Sequence, residues 1–383
     1  MQHVNCSSSA VKRRARFEFD VCAVDSDGVN PYGLCLARAL AETGMRIDLR
    51  RRSALAVARS PTTFGPPRGA TGSRWRRAVW LFGSLLQVAV QARRAGVVHL
   101  FWETPGDAIA AVVAKWLLRK PLVVTVHDPR RPGHALSLAR RALCRVGDRV
   151  IMHSEELRDV LVKQGLCEKW RILVVPLPNL ATGAISVTRE EAKRSLDLPS
   201  EQPALLFFGQ LRPYKGIETF VAAADKVLRD EARVVAVVAG SCKDAASAER
   251  IVALSTAHEG RVLTLVQDSP LSEEMLGWVI AAADLVALPF NSASQSASVV
   301  YALSSARPVV TTSVGENVSF GRAGAVELVR PGDPTGLAAT CLRLLRNDAE
   351  REELARRGDR FARQELNPRT IALRLNAVYA SLR

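Results

Sequence analysis

The chain alternates short aliphatic runs with longer stretches in which apolar residues recur at helical spacing. In its first half the runs are Phe19–Val24, Arg46–Leu49, Val97–Phe101, Leu122–His127, Arg149–His153 and Ile172–Val175. Each reads as a short strand. Helical patterns lie between them, for example Tyr32–Thr43 and Glu155–Gln164. The second half repeats the alternation with strands at Ala204–Phe208, Val234–Ala239, Arg261–Leu265, Leu285–Pro289, Pro308–Thr311 and Ala325–Val329. Its helices fall at Ile217–Arg229, Ala245–Ala257, Ser272–Ala282 and Ser296–Ser304. Strand and helix in strict alternation predict an α/β chain built on parallel sheets with helices on both faces. Glu350–Leu382 also reads as helical.

A Pro-, Ser- and Thr-rich stretch, PLPNLATGAISVTREEAKRSLDLPSEQP, interrupts the alternation near residue 176. It reads as the entry to a second domain. The division is then 1–180, 181–355 and a terminal helix, 356–383, expected to pack back toward the first domain. A length of 383 residues fits this, being enough for about two domains. Two doubly wound domains place a ligand cleft at the carboxyl ends of their strands.

Composition narrows the class. Apolar residues make up 48% and charged residues 24% of the chain, which excludes wholesale disorder, a collagen-like repeat and a coiled coil. No stretch reaches the roughly 18 apolar residues of a membrane span. The beginning, MQHVNCSSSAVKRRARFEFD, has no apolar core behind its basic cluster and does not read as a signal peptide. The seven cysteines are scattered and never spaced as CxxC, as expected of reduced thiols in a cytoplasm and not of a disulfide framework or zinc site.

The net charge of +15 is uneven. Residues 1–180 hold 29 Lys/Arg against 14 Asp/Glu, and residues 181–383 hold 24 against 24. A basic first half is expected to meet an anionic surface. No nucleic-acid motif or aromatic platform accompanies the charge, so nucleic acid is not the expected partner.

Two segments of the second half carry phosphate chemistry. In FFGQLRPYKGIETF a buried strand ends in Gly209, and Arg212 and Lys215 lie on the loop that opens the next helix. Unpaired N–H groups at a helix start attract anions, and a cationic pair there suits a diphosphate. In LPFNSASQSASVVYALSSARPVVTT a small polar loop containing Ser294 and Gln295 leads into a helix near Ser296. The N–H groups of Ser296, Ala297 and Ser298 would point from that helix end. The other reading of Ser294 and Ser296 is simple capping.

With these segments the sequence resembles the GT-B fold nucleotide-sugar glycosyltransferases over nearly its whole length. The resemblance is strongest in FGQLRPYKGIE, AADLVALPF, SASQSASVVYALSSARPVV and the terminal helix. It implies two Rossmann-like domains facing a cleft, with Arg212 and Lys215 on the donor diphosphate and Gln295 through Val299 at the same phosphates. LVQDSPLS matches the loop that holds the nucleotide base, which implicates Asp268 to Leu271. Many retaining members have two Glu with seven residues between them; the corresponding positions here are Ala293 and Tyr301. Gln210 stands where an Arg is more usual.

On the acceptor side, DSDGVNPYGLCLARAL puts Asn30, Pro31 and Tyr32 in a turn after the first strand. The resemblance sets this loop at the cleft. VVTVHDPRRPGH ends a strand with His127 and Asp128. Asp128, assisted by His127, is the candidate general base on an acceptor hydroxyl if the reaction inverts and a positioning residue if it retains, an outcome the sequence leaves open; the other reading makes Asp128 a turn cap and His127 a packing residue. Trp102 and Glu103 end another strand, and Glu103 is the rival base. Ser154 is expected to cap a helix start. Residues 73–96, SRWRRAVWLFGSLLQVAVQARRAG, read either as a buried helix or as a segment lying in a membrane interface.

The expected activity is metal-independent transfer of a hexose from a UDP- or GDP-sugar to an acceptor hydroxyl, without a resident cofactor. A polyprenyl-diphosphate-linked or growing glycan in cell-surface polysaccharide synthesis is the expected acceptor. The expected location is cytoplasmic, peripheral on the inner face of the plasma membrane. The alternatives are a nucleotide-sugar epimerase of the same fold and a catalytically degenerate subunit of a transferase pair.

Overall fold

The computed structural model describes residues 18–25, 32–51, 86, 88–102, 105–127, 138–180, 187–292 and 295–383. The chain divides into two compact units, Met1–Pro178 with Pro368–Arg383, and Asn179–Asn367.

Unit 1 contains strands β1 (Phe19–Asp25), β2 (Ile47–Arg51), β3 (Ala95–Trp102), β4 (Leu122–Thr125), β5 (Arg149–Met152) and β6 (Ile172–Val174). They pair in parallel in the order β2-β1-β3-β4-β5-β6. Its helices are α1 (Tyr32–Glu42), α2 (residues 88–94), α3 (Pro105–Leu117), α4 (Leu138–Val146) and α5 (Glu155–Lys163). Alternate strand residues face opposite ways. Cys22, Val24, Val98, Leu100, Leu122 and Val124 form one buried face under α2, α3, α4 and α5. The opposite face carries His99 and Phe101. Residues 73–85 and 87 of the basic–apolar stretch lie outside the described residues. Of the remainder, Leu86 and residues 88–94 are helical, with Val88 and Ala92 buried and Leu86 and Val90 exposed, and Ala95 and Gly96 begin β3.

Unit 2 begins with α6 (Arg189–Ser195), whose capping box pairs Thr188 with Glu191. Its strands are β7 (Ala204–Leu211), β8 (Val235–Cys242), β9 (Val262–Gln267), β10 (Leu285–Leu288), β11 (Val309–Thr312) and β12 (Glu327–Val329). The order β12-β11-β10-β7-β8-β9 reverses direction between β7 and β10. That reversal opens a crevice at the carboxyl ends of the two strands. The helices are α7 (Ile217–Asp230), α8 (Ala245–Ala257), α9 (Glu273–Ala282), α10 (Ala297–Ser304), α11 (Asn317–Arg322), α12 (Pro334–Arg346) and α13 (Asp348–Glu365). Buried Asp284 ties α6 to the sheet by accepting from Arg189 Nε at 2.6 Å and pairing with Lys193 Nζ at 2.9 Å.

Two departures from the sequence reading have local causes. Strands β7 and β8 run past Phe208 and Ala239, because Gly209 (φ 120°) and Gly240 (φ 144°) stand opposite each other in register. Without side chains they approach closely and the ladder continues. The terminal helical segment is two helices, α13 and α14 (Pro368–Ser381), because Pro368 disfavours helical backbone at Asn367. The first belongs to unit 2. The second belongs to unit 1, where it packs on α1. No disulfide links the described cysteines. No described helix is long and apolar enough to cross a membrane.

Candidate functional site

The β7–α7 connection lies at the crevice of unit 2. After Leu211 the chain makes one tight helical turn, Pro213–Lys215, and enters α7 through Gly216. Gly216 has a left-handed φ of 75°, and a Cβ there would overlap the carbonyl oxygen of Pro289. Backbone therefore packs on backbone, and the β7 loop is seated on the end of β10. Asn291 fastens it further. Its N–H donates to Tyr214 O at 2.9 Å and its side-chain amide to Pro213 O at 3.0 Å.

This turn sends the two cations different ways. Arg212 is exposed, whereas Lys215 is half-buried, with its ammonium 5.5 Å from the Phe290 ring centroid. The Lys215 ammonium also donates to the Ser298 hydroxyl at 3.4 Å. Burial, reinforced by the charge of Arg212, lowers the Lys215 pKa to about 8. A group destabilised as a cation in this way gains most from an arriving anion. Gly209 completes the cluster. Its missing Cβ would sit 3.0 Å from Ser298 Oγ and 3.3 Å from Lys215 Nζ.

Ser298 stands in the first turn of α10. Ser296 caps the helix by accepting from Val299 N at 3.2 Å, which bears out the capping reading. The N–H groups of Ala297 and Ser298 have no intrahelical acceptor and sit at the positive end of the helix dipole. Ala297 is exposed, Gln295 half-buried, and Ser298 and Val299 buried. Ser294 lies outside the described residues. Asp268 and Leu271 lie just past the end of β9, at the sheet edge two strands from β7. Gln267 braces their loop by donating to Pro270 O at 3.0 Å.

Sequence reasoning missed the polar support under this crevice. Thr311 and Thr312 donate their hydroxyls to the carbonyls of Leu288 and Phe290 at 2.8 and 2.5 Å. Asn317 donates to Thr311 Oγ1 at 2.9 Å, and Glu316 is buried beside it. The signal was available: polar residues directly after an apolar strand, in PVVTTSVGEN.

In unit 1 three imidazoles collect at or near the carboxyl ends of β3, β4 and β5. The ring of Tyr32 meets His127 edge-on at 4.5 Å between centroids and His153 at 5.5 Å. His127 Nε2 lies 2.7 Å from Phe101 O, and His153 Nδ1 lies 2.8 Å from Val175 O. Both nitrogens are therefore protonated donors. His99 bonds Tyr379 Oη at 2.6 Å and Thr125 Oγ1 at 2.9 Å. Burial lowers the pKa of His99 to about 3 and of His153 to about 4. His127 is pushed well below its ordinary value by burial and by neighbouring His153. All three imidazoles are neutral at pH 7. His127 is thus packed and bonded to backbone, and Tyr32 is buried among these rings. Ser154 caps α5, accepting from Leu157 N. Asn30, Pro31, Glu103 and Asp128 lie outside the described residues, as does the Trp102 side chain.

Residues 202–347 match the family model "Glycosyl transferases group 1" and residues 26–178 match "Glycosyltransferase Family 4". The chain is a glycosyltransferase of the GT-B type. The D-inositol 3-phosphate glycosyltransferase of Corynebacterium diphtheriae is 27% identical to it, over 86% of this chain and 84% of that protein. Anabaena HepE, solved with UDP and glucose, superposes with a TM-score of 0.69 at 17% identity, over 95% of this chain and all of that one. WaaG, a glycosyltransferase involved in lipopolysaccharide biosynthesis, gives a TM-score of 0.68 at 15% identity, over 94% and 99% of the two chains. Both likenesses are of fold. In this glycosyltransferase Lys215 and Ser298 of unit 2, and His127 and His153 of unit 1, stand where strands end, at the edge from which open α/β sheets bind ligands.

Proposed function

We propose that this glycosyltransferase moves a hexose from a UDP-sugar to the hydroxyl of a phosphate-bearing acceptor. The observation that carries this reading is the cluster of Lys215, Ser298 and the amino end of α10 at the β7/β10 crevice. As the bond to the sugar breaks, negative charge accumulates on the departing diphosphate. Lys215 and the N–H groups of Ala297 and Ser298 stabilise that charge from fixed positions. Arg212 adds a second cation from the loop surface. With this charge in place the transfer needs no metal ion and is expected to proceed in chelator. Asp268 and Leu271 flank the base. UDP is favoured over GDP by the ligand named for HepE.

Unit 1 is the acceptor side. Its basic surface suits a substrate bearing phosphate. Polyprenyl-diphosphate-linked sugars have that feature, and so does the acceptor in the name of the curated relatives. The first of these fits a peripheral enzyme on the inner face of the plasma membrane, serving cell-surface glycan synthesis.

A thermal-shift panel of nucleoside diphosphates tests the donor reading. A ligand that binds only the folded state raises its stability with concentration. UDP is expected to raise the unfolding midpoint of the wild type and to fail with Lys215→Met. Equal stabilisation of both proteins would remove Lys215 from the site. Product analysis with UDP-glucose and a polyprenyl-diphosphate-linked sugar, in chelator, then tests the transfer and the acceptor.

A further inference from the structure

Unit 1 holds all of the chain's positive surplus. Its residues carry 32 Lys/Arg against 14 Asp/Glu, whereas those of unit 2 carry 21 against 24. Between Asp48 and Glu103 there is no acidic residue and no lysine, but there are ten arginines. Helix α2 is the described end of that stretch. Val88 and Ala92 turn to the sheet, while Leu86, Val90 and Arg93 are exposed.

Helix α3 covers the same face of the sheet and is divided in the same way. Ala108, Ala111 and Ala114 pack inward. Ile109, Val113, Trp116 and Leu117 follow helical spacing along the outer side. Trp116 is 67% exposed and Leu117 77% exposed. Exposed Arg119 follows them. Helix α2 enters β3 and α3 leaves it on the same face of the sheet, so the two outer stripes face the same way. Of the nine exposed large apolar side chains among the described residues, four belong to these two helices and a fifth, Leu86, lies two residues before α2. Isolated exposed apolar residues are ordinary, but a shared patch marks an interaction surface.

Charge decides what fits the patch. Neither Leu86–Trp102 nor Ala108–Lys120 contains an acidic residue. A second copy would set one cationic patch against another. Nucleic acid would answer the arginines and leave Leu86, Val90, Ile109 and Leu117 facing polar groups. An anionic bilayer offers phosphates above an apolar layer, which suits tryptophan and arginine together.

We propose that the outer face of α2 and α3 docks on an anionic membrane. Ile109, Trp116, Leu117, Leu86 and Val90 enter the headgroup boundary, and Arg93 and Arg119 engage lipid phosphates. The face runs along the strands, so the carboxyl edge of the sheet stays open. This inference rests on the membrane placement proposed above and is independent of the transfer chemistry.

Vesicle sedimentation of the full chain, without donor or acceptor, tests it. The wild type is expected to bind phosphatidylglycerol-containing vesicles, to ignore pure phosphatidylcholine vesicles at the same protein concentration, and to release at high salt. Trp116→Ser with Leu117→Ser should weaken partitioning about tenfold. Arg93→Glu with Arg119→Glu should weaken it through charge alone. All four positions are exposed, so unfolding midpoints and UDP binding should match the wild type, and these readings report on the donor site separately. A wild type that binds neither vesicle overturns the membrane placement itself. Unchanged binding by both double variants overturns this face while leaving that placement intact. A wild-type dimer that separates in Trp116→Ser/Leu117→Ser would assign the face to a second copy instead.

Discussion

The Lys215 ammonium donates to the Ser298 hydroxyl at 3.4 Å, although 83 residues separate the two. The bond joins the loop after β7 to the first turn of α10, across the point where the strand order of unit 2 reverses. Each element alone is ordinary. Together they put a desolvated cation beside a positive helix end, which is the arrangement a diphosphate calls for. In the proposed reaction the two keep one geometry before and after the leaving group acquires its charge.

Lys215→Met keeps the side chain's bulk and removes its charge. Losing one preorganised charge-stabilising group typically costs about 3–4 kcal/mol of barrier. The turnover number of the variant should therefore fall about a hundred- to a thousandfold. Single-turnover transfer from UDP-glucose measures this, and a loss below threefold would show that Lys215 is not at the reacting phosphates.

The pH dependence of donor binding follows from the pKa of about 8 at Lys215. Below pH 8 the free protein already carries the ammonium and binding is flat. Above pH 8 binding must also take up a proton, so UDP affinity falls about tenfold per unit. Titration calorimetry from pH 6.5 to 9.5 should show this break in the wild type and a flat profile in Lys215→Met.

Gly209→Ala is expected to damage the site and the fold together. Its φ of 120° strains any side chain, at a cost of about 1–3 kcal/mol. The new methyl would also stand 3.0 Å from Ser298 Oγ. A lower urea midpoint with weakened UDP binding is the expected result. An unchanged midpoint would show that the β7–β8 glycine pair tolerates a side chain.

Acid should destabilise unit 1 through its histidines. His99 and His153 stay neutral in the fold but protonate when exposed, so the unfolded state binds more protons as pH falls below 6.5. Their contribution is whole above 6.5 and declines toward their folded values of about 3 and about 4. By pH 4 the loss is on the order of 3 kcal/mol for each. Urea unfolding monitored at several pH values should show this slope, with less of it in His153→Gln. A stability independent of pH between 7 and 5 would contradict it.

The central strands were legible because strands buried on both faces read as unbroken apolar runs, and the half-buried edge strands β6, β9 and β12 because they keep short aliphatic runs of their own. The Lys215 loop was legible for a related reason: a strand, a glycine, a cation and a helix start follow one another directly. The unequal fates of Arg212 and Lys215 were not, since the Pro213–Lys215 turn that separates them is a matter of backbone rotation. The capping role of Ser296 was read alongside a phosphate role for the same helix end; the hydrogen bond from Val299 N shows the cap, and the N–H groups of Ala297 and Ser298 are not engaged by it. Contacts such as His99 with Tyr379, 280 residues apart, leave no local trace. The supports at Thr311, Thr312, Glu316 and Asn317 were visible only as polar residues in an apolar context, which has many meanings.

The most direct measurement is a crystal structure of the protein with UDP. The diphosphate should lie at the β7/β10 crevice, with one of its oxygens within hydrogen-bonding distance of Lys215 Nζ and another facing the N–H groups of Ala297 and Ser298. A nucleotide bound elsewhere, with Lys215 still bonded only to Ser298, would contradict the account.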